Sequence, residues 1–240
     1  MRLASPILSV GFLTLLSLPL AAGAAPTVLA GWDFESLTNL PETTTDYGPL
    51  ATDVGSGKLT GGHSTAATFT SPVGNGSSAS LSSNTWSVGD YYEFTTSSEG
   101  YKDLVLKWDQ TSSSAGPANF AVRYSLDGVA YTDFSSYTVS DVSWSSSATS
   151  VASSRMVNLS SVPSLNNNPI FFLRLAMNGT ARADGQPGSV ASTGTSRIDN
   201  VSIEAEKIPV PRPLPLVGVA GAFATARRLR RRVRRQAPGA

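Results

Sequence analysis

Between about residues 25 and 207, apolar side chains recur at every second position, and no stretch carries a convincing 3.6-residue apolar period. A period of two puts successive side chains on opposite faces of an extended chain. The pattern therefore commits this region to half-buried strands and excludes a helical bundle. Val28, Ala30, Trp32 and Phe34 share one face of a first strand. Tyr92 and Phe94 do so in the segment from Asp90, and Leu104, Leu106 and Trp108 alternate with Asp103, Val105, Lys107 and Asp109. Phe120, Val122 and Tyr124 lead through the turn Leu126-Asp127-Gly128 to a return segment with Tyr131 and Tyr137, a hairpin over 118–138. Phe171, Leu173, Leu175 and Met177 form a further face, and Ile198 to Ile203 is the last strand.

Roughly ten strands with turns at this spacing predict an all-β domain, a two-sheet antiparallel β-sandwich of jelly-roll type. The Ser-rich stretches around 77–83, 112–114 and 143–154, and the segment 183–195, are expected as polar loops.

Charge divides sharply along the chain. Residues 25–207 hold nine basic residues and all 17 acidic ones, a net charge of −8 that the overall +1 conceals. A strongly acidic body does not grip nucleic acid, so no nucleic-acid partner is expected. Cysteine is absent, and the fold must rest on its apolar core without disulfides.

The two ends have a different character. Arg2, an apolar run from Pro6 to Leu20 and the small residues Ala22-Gly23-Ala24 read as a secretory signal peptide over 1–24, handled by the Sec machinery and signal peptidase. After the body (25–204) comes a Pro-rich linker (205–213), then an apolar helix with a basic cluster (214–236). Leu214 to Ala226 is 13 residues, about 20 Å of helix, against a hydrocarbon core of about 30 Å. That length suits a sorting element or a short membrane tether with its arginines on the cytoplasmic side.

Pro211, Pro213, Pro215, Gly218 and Gly221, followed by Arg227, Arg228, Arg230, Arg231 and Arg232, resemble the PEP-CTERM sorting signal of bacterial exopolysaccharide-associated surface proteins, in its cyanobacterial-type variant. The resemblance covers about 28 residues. It implies an exported protein placed in the cell envelope or at the cell surface, with an exosortase-like enzyme and the membrane as partners. Arg212 stands where that signal's glutamate would be, which leaves cleavage of the tail open.

Little in the body points to catalysis. His63, the only histidine, lies in Thr60-Gly61-Gly62-His63-Ser64 and reads as a loop residue, and no Gly-x-Ser-x-Gly nucleophile elbow is present. Glu93, Glu99, Asp103 and Asp109 are the carboxylates from which a glycoside-cleaving pair would be drawn. That is the alternative reading, a surface-attached glycan hydrolase or lyase. Trp86, Tyr91, Tyr137 and Trp144 fall near loops or opposite the core face, where aromatic rings stack on sugars, with an extracellular polysaccharide as partner.

Asp199 stands out within Arg197-Ile198-Asp199-Asn200-Val201. Alternation places it on the inward face with Val201 and Ile203, and a buried carboxylate needs a partner, of which Arg197 is one option. The opening Trp32-Asp33-Phe34-Glu35 and closing Ile198-Asp199-Asn200-Val201 resemble the first and last strands of MAM-like extracellular jelly-roll domains. That resemblance implies Glu35 and Asp199 as ligands of a structural Ca²⁺, a cation that takes oxygen donors. The sequence thus predicts a non-catalytic, exported surface protein with a structural or adhesive role and a capacity for glycan binding.

Overall fold

The structure, a computed structural model, describes residues 25–38, 40–210 and Arg227. The signal segment and the sorting residues Pro211, Pro213, Pro215, Gly218, Gly221, Arg228, Arg230, Arg231 and Arg232 lie outside the described residues, and Arg227 is exposed. Two compact units divide the chain at Lys207/Ile208. Of the second, only Ile208, Pro209, Val210 and Arg227 are described. Among the described residues no helix is long and apolar enough to cross a membrane.

The described residues of the first unit are all-β apart from two short 3₁₀ turns. Its strands are β1 (Thr27–Trp32), β2 (Glu42–Ala51), β3 (Val54–Gly55), β4 (Gly57–Thr70), β5 (Leu81–Ser83), β6 (Tyr91–Thr96), β7 (Tyr101–Ser112), β8 (Asn119–Ser125), β9 (Thr132–Thr138), β10 (Ser154–Asn158), β11 (Phe171–Met177) and β12 (Ser196–Lys207). Two single 3₁₀ turns, Val151–Ser153 and Pro163–Leu165, interrupt the connections.

Pairing is antiparallel throughout and runs β10-β7-β12-β5-β4-β6-β11-β8-β9, with β1 and β3 added beside β12 and β2 beside β4. This path folds over on itself. Trp108 of β7 and Tyr137 of β9 stand far apart along it, yet their rings lie 5.2 Å apart, as do those of Trp32 on β1 and Phe94 on β6. The layer β10-β7-β12-β1-β3 therefore faces the layer β2-β4-β6-β11-β8-β9, and β5 joins them at one end by pairing with both β12 and β4.

The alternating residues fill the space between. Tyr92, Phe94, Leu104, Leu106, Phe120, Val122, Phe171, Leu173, Leu175, Ile198 and Ile203 are completely buried in one cluster. Each contributes about 1.5–3 kcal/mol relative to exposure in the extended chain.

Several expectations need correction. Val28 is exposed, because a bulge between Val28 and Ala30 breaks the parity of β1. His63 lies not in a loop but inside β4, the longest strand at 14 residues. In that segment the missing side chains of Gly61 and Gly62 make room for rings: a Cβ on Gly61 would strike Phe69 and one on Gly62 would strike Tyr91. The expected polar loops give up their edges to strands: Leu81–Ser83 form β5, Ser112 ends β7 and Ser154 opens β10, with Met156 and Asn158 exposed at this outer strand. β12 runs on to Lys207, so the first residues assigned to the linker pair with Tyr101 and Lys102.

Candidate functional site

The site begins at Asp199. Between Asp199 and Ser202 the register of β12 against β7 shifts, and Asn200 takes a left-handed φ of 49°. This irregularity keeps Ile198 and Val201 in the core while Asp199 turns towards the loop 73–79. It also separates Asp199 from Arg197, which make no ion pair, so the partnership read from alternation does not form. Asp199 is fully buried and is held by hydrogen bonds instead. The Asn75 N–H (2.7 Å) and the Ser77 hydroxyl (2.6 Å) donate to Oδ2, and the Asn200 N–H (2.8 Å) donates to Oδ1.

Directly opposite on β7 sits a second buried carboxylate, Asp109. The side-chain amides of Asn75 and Asn200 each donate to its Oδ2 at 2.9 Å, and Ser154 donates to Oδ1 at 2.6 Å. Burial, with a smaller push from Asp109, drives the Asp199 carboxyl up to about 6 against the pull of its hydrogen bonds.

Asn75 extends this cluster outwards. Its carbonyl accepts the Ser150 N–H at 2.7 Å, its amide donates to Ser150 O at 3.2 Å, and the Gly76 N–H donates to Ser145 O at 2.9 Å. The Ser-rich segment 141–150 is thereby fixed to the loop 73–79, which is fixed to Asp199.

What these loops enclose is a cavity of about 340 Å³ beside the start of β12 and the end of β7. Its walls include Val73, Thr111, Ser113, Asp141, Trp144 and Arg197. Trp144 is itself buried, 8% exposed, with its Nε1–H donating to Ser153 Oγ at 2.8 Å, so only a small part of the indole reaches the cavity; the Arg197 guanidinium lies 5.6 Å from its ring centroid. Arg197 Nη1 donates to Val73 O at 3.0 Å, while Nε is buried without an acceptor. Burial lowers the Arg197 pKa. Asp141 accepts the Ser114 hydroxyl at 2.5 Å through Oδ2. An indole wall, a guanidinium, a carboxylate and several hydroxyls are the groups that recognise a hydroxylated ring.

The other aromatic candidates lie elsewhere. Trp86 is buried, its Nε1–H donating to Ser83 O at 2.9 Å and its ring packed on His63, Tyr92 and Phe120. Tyr137 packs on Trp108 and Phe120 and donates to Gln110 Oε1 at 2.8 Å. Trp86 is corrected from a stacking platform to a core residue and Tyr137 to a partly buried ring packed against the core.

Tyr91 does lie on the outer face of β6. Arg174 sits 3.6 Å from its ring centroid and 3.6 Å from that of Tyr131, and Glu93 takes Arg174 Nε at 2.6 Å and the Tyr131 hydroxyl. Gly62 lies against the Tyr91 ring as well. This stack satisfies itself and offers a ligand little free ring surface.

The carboxylates Glu93, Glu99, Asp103 and Asp109 share no cleft. Glu93 is paired with Arg174, Asp103 with Lys102, Glu99 is exposed in a turn, and Asp109 faces Asp199 in the interior. His63 has more company than the sequence suggests. Its Nδ1 lies 3.2 Å from Asp90 Oδ2 and its Nε2 3.2 Å from Ser83 Oγ. Burial raises the Asp90 carboxyl, but the His63 hydrogen bond and the Ser64 and Ser87 N–H groups outweigh it and hold the pKa below the usual value. The order Ser-His-Asp imitates a hydrolytic triad, but Ser83 is completely buried and meets the Tyr92 hydroxyl, which donates to Ser196 O. No substrate carbonyl reaches such a serine, and the chain of bonds acts as a polar pin through the core.

Glu35 and Asp199 grip the same loop. Glu35 accepts the Ala79 N–H at 2.9 Å and the Ser78 hydroxyl, contacts that pull its carboxyl below the usual value. On the other side a Cβ on Gly74 would fall among Ser77 Oγ, Ala79 O and Asp199 Oδ2. These three oxygens close on the point a Gly74 side chain would occupy and are bound to one another through the Ser77 hydroxyl, so only glycine fits there. Among the described residues no three acidic or histidine side chains gather into a metal group, and Glu35 and Asp199 grip the loop from different sides.

No protein-family model matches the chain, and no curated protein does. Similar solved structures include the K2 cleaved adhesin domain of Lys-gingipain, 13% identical over 75% of this chain and 97% of that one, with a TM-score of 0.37. A family 29 carbohydrate-binding module complexed with cellulohexaose is 10% identical over 76% and 92%, with a TM-score of 0.30. The N-terminal cellulose-binding domain of a Cellulomonas fimi β-1,4-glucanase is 10% identical over 75% and 90%, with a TM-score of 0.28. Likenesses at this level carry no argument about function.

Proposed function

We propose that this chain is an exported, non-catalytic glycan-binding protein of the bacterial surface, with a jelly-roll-like sandwich as its body. The observation that carries the reading is the 340 Å³ cavity in which the immobilised Trp144 ring stands beside Arg197 and Asp141. The part of the indole that reaches the cavity packs against the C–H groups of a sugar, while guanidinium and carboxylate donate to and accept from its hydroxyls. The acid pair that a glycan-cleaving enzyme needs is absent from the cavity wall, and Asp109 and Asp199 are spent on holding the loops in place.

Affinity electrophoresis through gels containing different polysaccharides tests this. Retardation by at least one, lost in Trp144→Ala with an unchanged circular dichroism spectrum, is the expected result. Migration unaffected by every polysaccharide contradicts the reading.

Two further elements belong to the proposal. The Pro-Arg tail directs the protein to the envelope through an exosortase-like enzyme or retains it as a membrane tether, a reading supported by the order of its motifs. A structural Ca²⁺ beside the loop 73–79 would draw on the carboxylates of Glu35 and Asp199, which grip that loop through Ala79 and Ser77. Such an ion would supply positive charge beside a buried carboxylate and stiffen the loop 73–79.

A further inference from the structure

Arg197 is under-supplied with acceptors. Arg123, Arg174 and Arg182 each have a carboxylate within 2.6 Å, and Arg155 donates to the carbonyls of Ala152, Ser154 and Thr138. Among the described residues Arg197 has one carbonyl, Val73 O, and no carboxylate within ion-pair distance, although it is partly withdrawn from water. Its Nε is buried without an acceptor, as is that of Arg182, and its Nη2, which is not buried, has none among the described residues. A guanidinium removed from water without an anion is costly, and its fork geometry matches a carboxylate.

The cation stands in a cavity on a body of net charge −8, where general electrostatics repel anions. An anion attracted there is attracted by this one group. Asp141, the cavity's own carboxylate, lies beyond ion-pair distance from Arg197 and holds Ser114 instead. It leaves Oδ1 to accept a hydroxyl.

We propose that the cavity selects a carboxylated sugar, a uronate residue whose carboxylate takes the free edge of Arg197, whose ring lies on Trp144 and whose hydroxyl donates to Asp141. This deepens the glycan-binding reading and rests on it.

Isothermal titration with tri-galacturonate and with cellotriose, a neutral sugar of the same length, separates the two claims. Tri-galacturonate is expected to bind at least tenfold more tightly than cellotriose. Arg197→Gln removes that preference, and Arg197→Lys, which keeps the charge but not the fork, reduces it. Asp141→Asn tightens uronate binding by a few-fold because a neighbouring negative charge is gone. Thermal unfolding of each variant identifies any that fails to fold, in which case Asp141→Asn carries the test. Equal affinity for the two sugars, or Asp141→Asn leaving uronate affinity unchanged, overturns the selectivity while leaving glycan binding intact. Binding of neither sugar, to wild type or variants, overturns both.

Discussion

Replacing Asp199 by asparagine keeps the shape of the side chain and removes its titration. In the folded protein burial, helped by Asp109, pushes this carboxyl up to about 6, whereas in an unfolded chain an aspartate titrates near 3.9. Between those two values the folded state binds more protons than the unfolded one. The contribution of Asp199 is therefore fully present below pH 4 and is lost as pH rises through 6. At 1.36 kcal/mol per pH unit, the change between pH 4 and pH 7.5 comes to about 2 kcal/mol.

Urea unfolding of wild type and Asp199→Asn across that range reads the titration of Asp199 together with its coupling to Asp109, while groups remote from the pair are common to both. The stability of wild type relative to the variant should fall by about 2 kcal/mol from pH 4 to 7.5. A difference that stays constant with pH would refute the claim that this carboxylate is buried and carries a charge at a cost.

Asn75→Ala strips donors and acceptors from Asp109 and Ser150 at once, and should cost about 3 kcal/mol in urea unfolding. The same variant should weaken polysaccharide retardation, because the segment carrying Trp144 loses its anchor. Leu173→Ala, in the centre of β11 and fully buried, should cost about 2–5 kcal/mol without changing the affinity of the molecules that remain folded. If Glu35 and Asp199 hold Ca²⁺, the midpoint of thermal unfolding should rise with added Ca²⁺ and fall with chelator, and an identical midpoint in both counts against that ion. Intact mass of protein recovered from the envelope should lack the first 24 residues, and a species beginning at Met1 would contradict export by signal-peptide cleavage.

Much of the fold can be read from the sequence wherever strands are half buried. The faces at Leu104–Trp108, Phe120–Val122 and Phe171–Met177 are buried as alternation requires, and the β8–β9 hairpin turns at Leu126-Asp127-Gly128. Reading fails where a long-range neighbour overrides the local signal. The segment Thr60–Ser64 reads as a loop because nothing local shows that Gly61 and Gly62 make room for the ring of Phe69 further along the same strand and for that of Tyr91 on the paired β6. Trp86 and Tyr137 look like surface aromatics because nothing local shows that they pack against the core.

The site is legible only in part. A buried Asp199 follows from alternation, but its separation from Arg197 depends on a bulge that no residue pattern announces. Asp141 and Asn75 sit in polar stretches indistinguishable from solvent loops. Their roles exist only because Asn75 reaches Ser150 across 75 positions of sequence.

The most direct test of the binding reading is the indole N–H signal of Trp144 in a nitrogen-15 correlation spectrum, assigned through Trp144→Phe. Titration with the retarding oligosaccharide should move this signal saturably while that of Trp86, closed into the core, stays fixed. A spectrum in which saturating sugar leaves Trp144 unmoved, or moves residues around Tyr91 and Tyr131 instead, contradicts the assignment of the site to the cavity.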